Sequence, residues 1–193
     1  MKSIFSVISK KKNWLSFLFM FLVVHFGNAQ QIFPMKKGVI YIVRHSEKDT
    51  GINPGLTVAG RMRNGYLASA LKSKKNYPDR IYVTQFRRTQ QTADSIFFKG
   101  INDTTHYVAD NNGDGLINQL KKHRRDNNIV VIAHSNTIPV LIKRLGINES
   151  TVAIADNEYD NLFRIVYRKS KATLSRRKFG VSVPKSDSIW KVL

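Results

Sequence analysis

Residues 39–45 read Val-Ile-Tyr-Ile-Val-Arg-His, and residues 129–134 read Ile-Val-Val-Ile-Ala-His. Each is a short apolar run rich in β-branched side chains, without alternation, as expected of a strand buried on both faces of a parallel sheet. Each run also ends in a histidine. A third run, Arg-Ile-Tyr-Val-Thr at 80–84, closes on Thr84 and is followed by Arg87 and Arg88. Open parallel sheets bind ligands beyond the carboxyl ends of their strands. The three runs therefore predict one rim bearing two imidazoles and two or three guanidiniums. A guanidinium grips phosphate oxygens with a planar fork that lysine lacks. An imidazole among such groups can attack phosphorus or transfer protons.

The rest of the chain is read outward from these strands. Thr57 can cap a helix in which Ala59, Met62, Tyr66, Leu67, Ala70 and Leu71 recur on one face. Residues 89–98 have a helical pattern closed by Gly100, residues 105–109 suit a strand, and the loop 110–115 leads into a helix over 116–126. A short helix over 138–145 ends at Gly146, and residues 161–167 and 173–179 alternate like a basic hairpin. Strands alternating with helices predict an α/β fold, a three-layer α/β/α sandwich whose central sheet is largely parallel with antiparallel strands late in the chain.

The first 29 residues form a separate segment. Lys2, Lys10, Lys11 and Lys12 precede an apolar run of thirteen residues at 14–26, and Gly27-Asn28-Ala29 follows. This is the layout of a signal peptide cleaved before Gln30, leaving residues 30–193 as a single exported domain, periplasmic or secreted. The alternative is a retained membrane anchor, for which the run falls short of the roughly 20 residues that span a bilayer. The chain has no cysteine, which excludes disulfides, thiolate chemistry and lipid attachment at a cysteine. Loss of the leader lowers the net charge from +19 to +15. Such a field attracts phosphorylated small molecules, anionic surfaces or polyanions. The late basic cluster (Arg164, Arg168, Lys169, Lys171, Arg176, Arg177, Lys178) is either a solvated hairpin face or a steering surface. It lacks the interleaved aromatics of a single-strand stacking platform, which argues against nucleic acid as partner.

At this point the segments become recognisable as a set. IYIVRHSEKD, GLTVAGRMRNGYLASAL, RIYVTQFRRTQQTA and VVIAHSNTIPVLIKRLG stand in the order and spacing of four motifs of the histidine phosphatase superfamily, which the chain resembles from residue 39 to 146. Residues 157–163 also resemble a tail found in small bacterial members. The resemblance implies a phosphatase acting on phosphate monoesters or anhydrides through a covalent phosphohistidine, with no metal and no cofactor. His45 would be the nucleophile, Arg44 and Arg88 would grip the phosphoryl oxygens, and His134 would be the second imidazole of the pocket. Ser46, where the family usually has glycine, would donate a hydrogen bond to the phosphate. Arg87 would be an outer contact or simply exposed. His106 and His123 lie outside the motifs, and the scattered histidines do not suit a zinc site.

The general acid is the open point. The family supplies it from different places, and the position after the second histidine is here Ser135. Glu47 is favoured because the chain holds it near His45; Asp110, Glu158 and Asp160 are the other candidates. Glu47 could equally be tied in an ion pair with Lys48 or Arg88. Without a positioned acid, the chemistry would favour good leaving groups such as phosphoanhydrides or phosphohistidine. The short stretch 98–126 leaves little room for a capping insertion and predicts an open pocket. A phosphoglycerate mutase-like phosphoryl transferase and an inactive polyanion binder of the same fold are the rival readings, and oligomeric state is left open.

Overall fold

The protein is described by a computed structural model, in which residues 35–71, 78–96, 103–148, 152–180 and 191–192 can be described. The chain divides into residues Met1–Gln31 and Ile32–Leu193, and all described residues belong to the second unit. The expected leader and the helix stop at Gly100 lie outside them. Among the described residues, no helix is long and apolar enough to cross a membrane.

The elements are β1 (Lys37–Arg44), α1 (Val58–Leu71), β2 (Arg80–Thr84), α2 (Arg87–Asp94), β3 (Thr104–Tyr107) and α3 (Asp114–Lys122). They continue with β4 (Asn128–Ala133), α4 (Ile138–Arg144), β5 (Asn161–Arg168), β6 (Lys171–Lys178) and β7 (Lys191–Val192). The strands form one sheet in the order β3-β2-β4-β1-β5-β6-β7. β1 to β4 are mutually parallel, whereas β5, β6 and β7 add antiparallel strands along one side.

Side-chain alternation sorts the core into two layers. Ile40, Ile42, Val131 and Phe163 pack with Leu116, Leu120, Ile138 and Leu141, so α3 and α4 cover one face. Val39, Tyr41, Val43 and Ile132 pack with Leu67, Leu71, Ala93 and Ile96, so α1 and α2 cover the other. This is the expected three-layer sandwich. β1 over 39–43 and β4 over 129–133 are apolar throughout because each serves both layers.

The predicted face of α1 holds at Leu67 and Leu71 and is corrected at Ala59, Met62 and Tyr66. Its buried residues are Gly60, Asn64, Leu67 and Leu71, while Ala59, Met62 and Tyr66 are exposed. Close approach, not apolar periodicity, sets the orientation. A Cβ at Gly60 would overlap the carbonyl of Glu47, so α1 lies directly against the loop that follows β1. The cap does follow expectation: the Thr57 hydroxyl accepts the N–H of Gly60 at 3.0 Å.

β1 and β4 are neighbours, yet the chain leaves them in opposite directions. The loop after β1 runs to α1 on one face, and the loop after β4 runs to α4 on the other. The crevice between their carboxyl ends is a topological switch point, where such sheets hold ligands.

Candidate active site

His45 and His134 meet at that switch point, their ring centroids 5.3 Å apart and the rings set edge to face. The N–H of His45 donates to the carbonyl of Ala133 at 3.0 Å, which extends the β1–β4 ladder by one residue and aligns the two strand ends. Nδ1 of His45 lies 2.8 Å from the carbonyl oxygen of Ser46. A carbonyl can only accept, so Nδ1 carries the proton and Nε2 keeps its lone pair. Burial pushes the His45 pKa down to about 3; the bond to Ser46 opposes this, and His134, Arg88 and Arg44 reinforce it. The ring is therefore neutral at ordinary pH, as a nitrogen nucleophile must be.

His134 bridges two further elements. Its Nε2 stands 3.1 Å from the hydroxyl of Thr84, at the end of β2, and its Nδ1 stands 3.4 Å from Nη2 of Arg88, on the first turn of α2. Arginine can only donate, so Nδ1 accepts and Nε2–H donates to Thr84. Burial and the charges of Arg88 and Arg44 lower its pKa to about 4.

The two guanidiniums face the rings without a carboxylate partner. Nη1 of Arg44 donates to the carbonyls of Ala155, Asp156 and Glu158 at 3.0, 2.9 and 3.3 Å. Its plane rests on the Tyr159 ring, 4.1 Å from the centroid. Arg88 lies over Phe86 at 4.4 Å, and Phe86 in turn abuts the edge of His134 at 5.2 Å. Neither arginine forms an ion pair among the described residues. Burial and repulsion from Arg44 lower the pKa of Arg88. Two partly desolvated cations beside two neutral imidazoles define a hollow whose missing partner is an anion.

Several expectations change on contact with the geometry. Ser46 is fully buried, and both its donors are committed away from the hollow. Its N–H goes to the Thr92 hydroxyl at 3.1 Å, and its own hydroxyl goes to Oδ1 of Asn64 at 2.6 Å. It fastens the strand end to α1 and α2 and has no donor left for phosphate. Glu47 is paired, but with Arg63 rather than Lys48 or Arg88; Nε of Arg63 reaches its two oxygens at 2.7 and 2.8 Å. Asp110 accepts the N–H groups of Asn112, Asp114 and Gly115, which hold its pKa down and brace the turn into α3. Glu158 binds Lys178 and the N–H of Ala155, and these bonds bring its pKa down to about 2. Asp160 also binds Lys178, at 2.6 Å. Every candidate acid is thus engaged as a carboxylate. Arg87 is exposed, and its backbone N–H is bound by Asn53.

His45 and His134 are only 3% and 6% exposed, because Tyr159 and Phe86 close in on either side. These two aromatics, Thr84 and the 155–158 carbonyls were not legible as site residues. The single cue was the likeness of residues 157–163 to a family tail.

Neither a protein-family model nor a curated protein sequence matches the chain. Solved structures do. A protein histidine phosphatase SixA complexed with tungstate aligns with TM-score 0.55 at 15% identity, over 72% of this chain and 96% of its own. The alpha-ribazole phosphatase of Shigella flexneri aligns with TM-score 0.51 at 16% identity, over 75% and 100%. A mycobacterial glucosyl-3-phosphoglycerate phosphatase aligns with TM-score 0.51 at 13% identity, over 76% and 100%. The fold of this chain is the one these three phosphatases share.

Proposed function

We propose that the chain is a phosphatase that works through a phosphohistidine on His45. The observation that carries this reading is the fixed tautomer of His45. With Nδ1–H held by Ser46, the Nε2 lone pair is free beside two guanidiniums that have no counter-anion among the described residues. In the first step Nε2 forms a bond to phosphorus, and the bond to the leaving group breaks with its electron pair passing to that group. Arg44 and Arg88 bear the charge on the equatorial oxygens. In the second step a water oxygen attacks phosphorus, the N–P bond breaks and the pair returns to Nε2, while the water proton is released to solvent. The compensating charge comes from arginines, so the reading is metal-independent.

The leaving group decides the substrate class. Glu47, Glu158 and Asp160 are committed to cations, so a poor alkoxide leaving group would find no proton donor among them. We therefore assign the activity to phosphoanhydrides, phosphoramidates such as phosphohistidine, and activated esters. The occurrence of a protein histidine phosphatase among structures of this fold agrees with that assignment. The test is hydrolysis of p-nitrophenyl phosphate against an alkyl phosphate in the presence of a chelator. Hydrolysis of the aryl ester alone, abolished by His45→Ala, is expected; equal rates on both would overturn the leaving-group argument. Anion binding without any turnover would favour the inactive binder. The leader at 1–29 is proposed to direct export, and N-terminal sequencing of the exported chain should find Gln30 first.

A further inference from the structure

The late basic residues do not form one surface. β5 and β6 are antiparallel, so the cluster splits between the two ends of the sheet. At the catalytic end, Arg176 and Lys178 are paired with Glu158 and Asp160. At the far end, Lys37 of β1 stands directly opposite Arg168 of β5, which stands directly opposite Lys171 of β6. Three cations thus lie abreast on three adjacent strands. Like charges in directly opposed positions repel and destabilise a sheet.

Nearby groups add to this charge instead of relieving it. Lys36 joins the row through its carbonyl, which accepts the N–H of Ser170 at 3.1 Å. Lys169 forms the hairpin tip with Ser170, both at positive φ. The turn between α3 and β4 brings Lys122, Arg124 and Arg125 to the same end. The described carboxylates there are used elsewhere. Asp103 and Asp126 both bind Arg80 at 2.6 Å, and Asp79 accepts the N–H groups of Asn127 and Asn128. Lys36, Lys37, Arg168, Lys169 and Lys171 are exposed and form no ion pair among the described residues.

We infer that this pole, formed by the Lys37–Arg168–Lys171 row and its flanking lysines, docks on the anionic surface of a lipid bilayer. Opposed like charges are a stability cost that an anionic plane would relieve, because lipid headgroups can enter between the side chains as counter-ions. Chain direction selects a bilayer over other polyanions. The chain enters the domain at this pole, through Met35 and Lys36, ten residues after the apolar run 14–26 ends. On the export proposed above, a chain cut before Gln30 keeps five residues ahead of Met35, so it leaves the bilayer with this pole nearest the lipid. The catalytic hollow, at the opposite end of β1, then faces water.

The test is partition of the exported chain beginning at Gln30 onto vesicles of mixed phosphatidylglycerol and phosphatidylcholine, compared with pure phosphatidylcholine. The ratio of the two partition coefficients isolates the electrostatic share. The parent should favour the anionic vesicles, with a preference that fades as salt is raised. Each cation at such a surface contributes about fivefold. Lys37→Gln/Arg168→Gln/Lys171→Gln should therefore lower the ratio by at least about fiftyfold, with a melting temperature no lower than the parent's. Lys48→Gln/Arg61→Gln, exposed positions near the catalytic end, should leave the ratio unchanged. Equal partition of the parent onto both vesicles, an unaltered ratio in the triple variant, or an equal loss in the control pair would overturn the inference. A lower melting temperature of the triple variant would also count against it, since the row would then be stabilising. Displacement from anionic vesicles by short duplex DNA at equal phosphate concentration would reassign the pole to nucleic acid and overturn the lipid partner.

Discussion

The Ser46 hydroxyl donates to Oδ1 of Asn64 at 2.6 Å, so the residue after the proposed nucleophile is fastened to the middle of α1. Nδ2 of Asn64 in turn donates to the carbonyl of Gln91 and to the Ser95 hydroxyl. One buried amide therefore ties the end of β1 to α1 and α2, and Ser46 passes that restraint to His45 through its carbonyl. Asn64→Ala should cost about 1–3 kcal/mol of stability, because it leaves the Ser46 hydroxyl without an acceptor. It should also lower kcat more than it raises KM. A melting curve and p-nitrophenyl phosphate kinetics read both effects, and an unchanged melting temperature would refute the first.

pH dependence follows from the depressed imidazoles. His45 at about 3 and His134 at about 4 remain neutral through the range where a free histidine titrates. After allowance for the second ionisation of the substrate near pH ~6, kcat/KM should be flat between neutrality and mild acid, falling only towards the two low values. A break near pH ~6.5 belonging to the enzyme would show that one ring charges normally.

The same shifts affect stability. Between the unfolded histidine value near ~6.5 and the folded values of about 3 and 4, the unfolded chain binds more protons than the native one. Stability contributed by the neutral rings is therefore complete above that window and is lost as pH falls through it. Urea midpoints measured from pH ~7 to ~5 should decline, and more shallowly in His134→Gln. Identical slopes in parent and variant would contradict the burial of that ring.

Arg44 holds its place through three carbonyls and an aromatic face. Lysine can satisfy few of these and has no planar fork, so Arg44→Lys should reduce kcat/KM by about 10²-fold or more. Tyr159→Leu removes only the ring beneath the guanidinium and should cost about 0.5–2 kcal/mol in binding of phosphate. Competitive inhibition by inorganic phosphate measures it directly.

Glu47 separates two mechanisms. Held by Arg63 as a carboxylate, it should be dispensable for proton transfer, and Glu47→Gln should lower the rate on an aryl phosphate by less than about fivefold, given that general acids contribute about 10²–10⁴-fold. A loss in the latter range on alkyl esters, with aryl esters spared, would restore Glu47 as the acid.

Much of the fold was legible because β1 and β4 are buried on both faces. A strand serving two cores must be apolar throughout, and such runs stand out in a sequence, together with the histidines that end them. α1 was misread for the converse reason. Its contact depends on the absence of a side chain at Gly60 and on an amide at Asn64, and neither contributes to apolar periodicity; the larger Met62 and Tyr66 do, yet they face solvent.

Local sequence thus determined β1 to β6 and the four residues that meet at the rim. Only the tertiary structure decided what those residues can do. The orientation of Arg44 comes from carbonyls more than a hundred positions later in the chain. The role of each carboxylate depends on which cation folding brings beside it. Those contacts are set by strand order and helix packing, which short-range patterns do not encode.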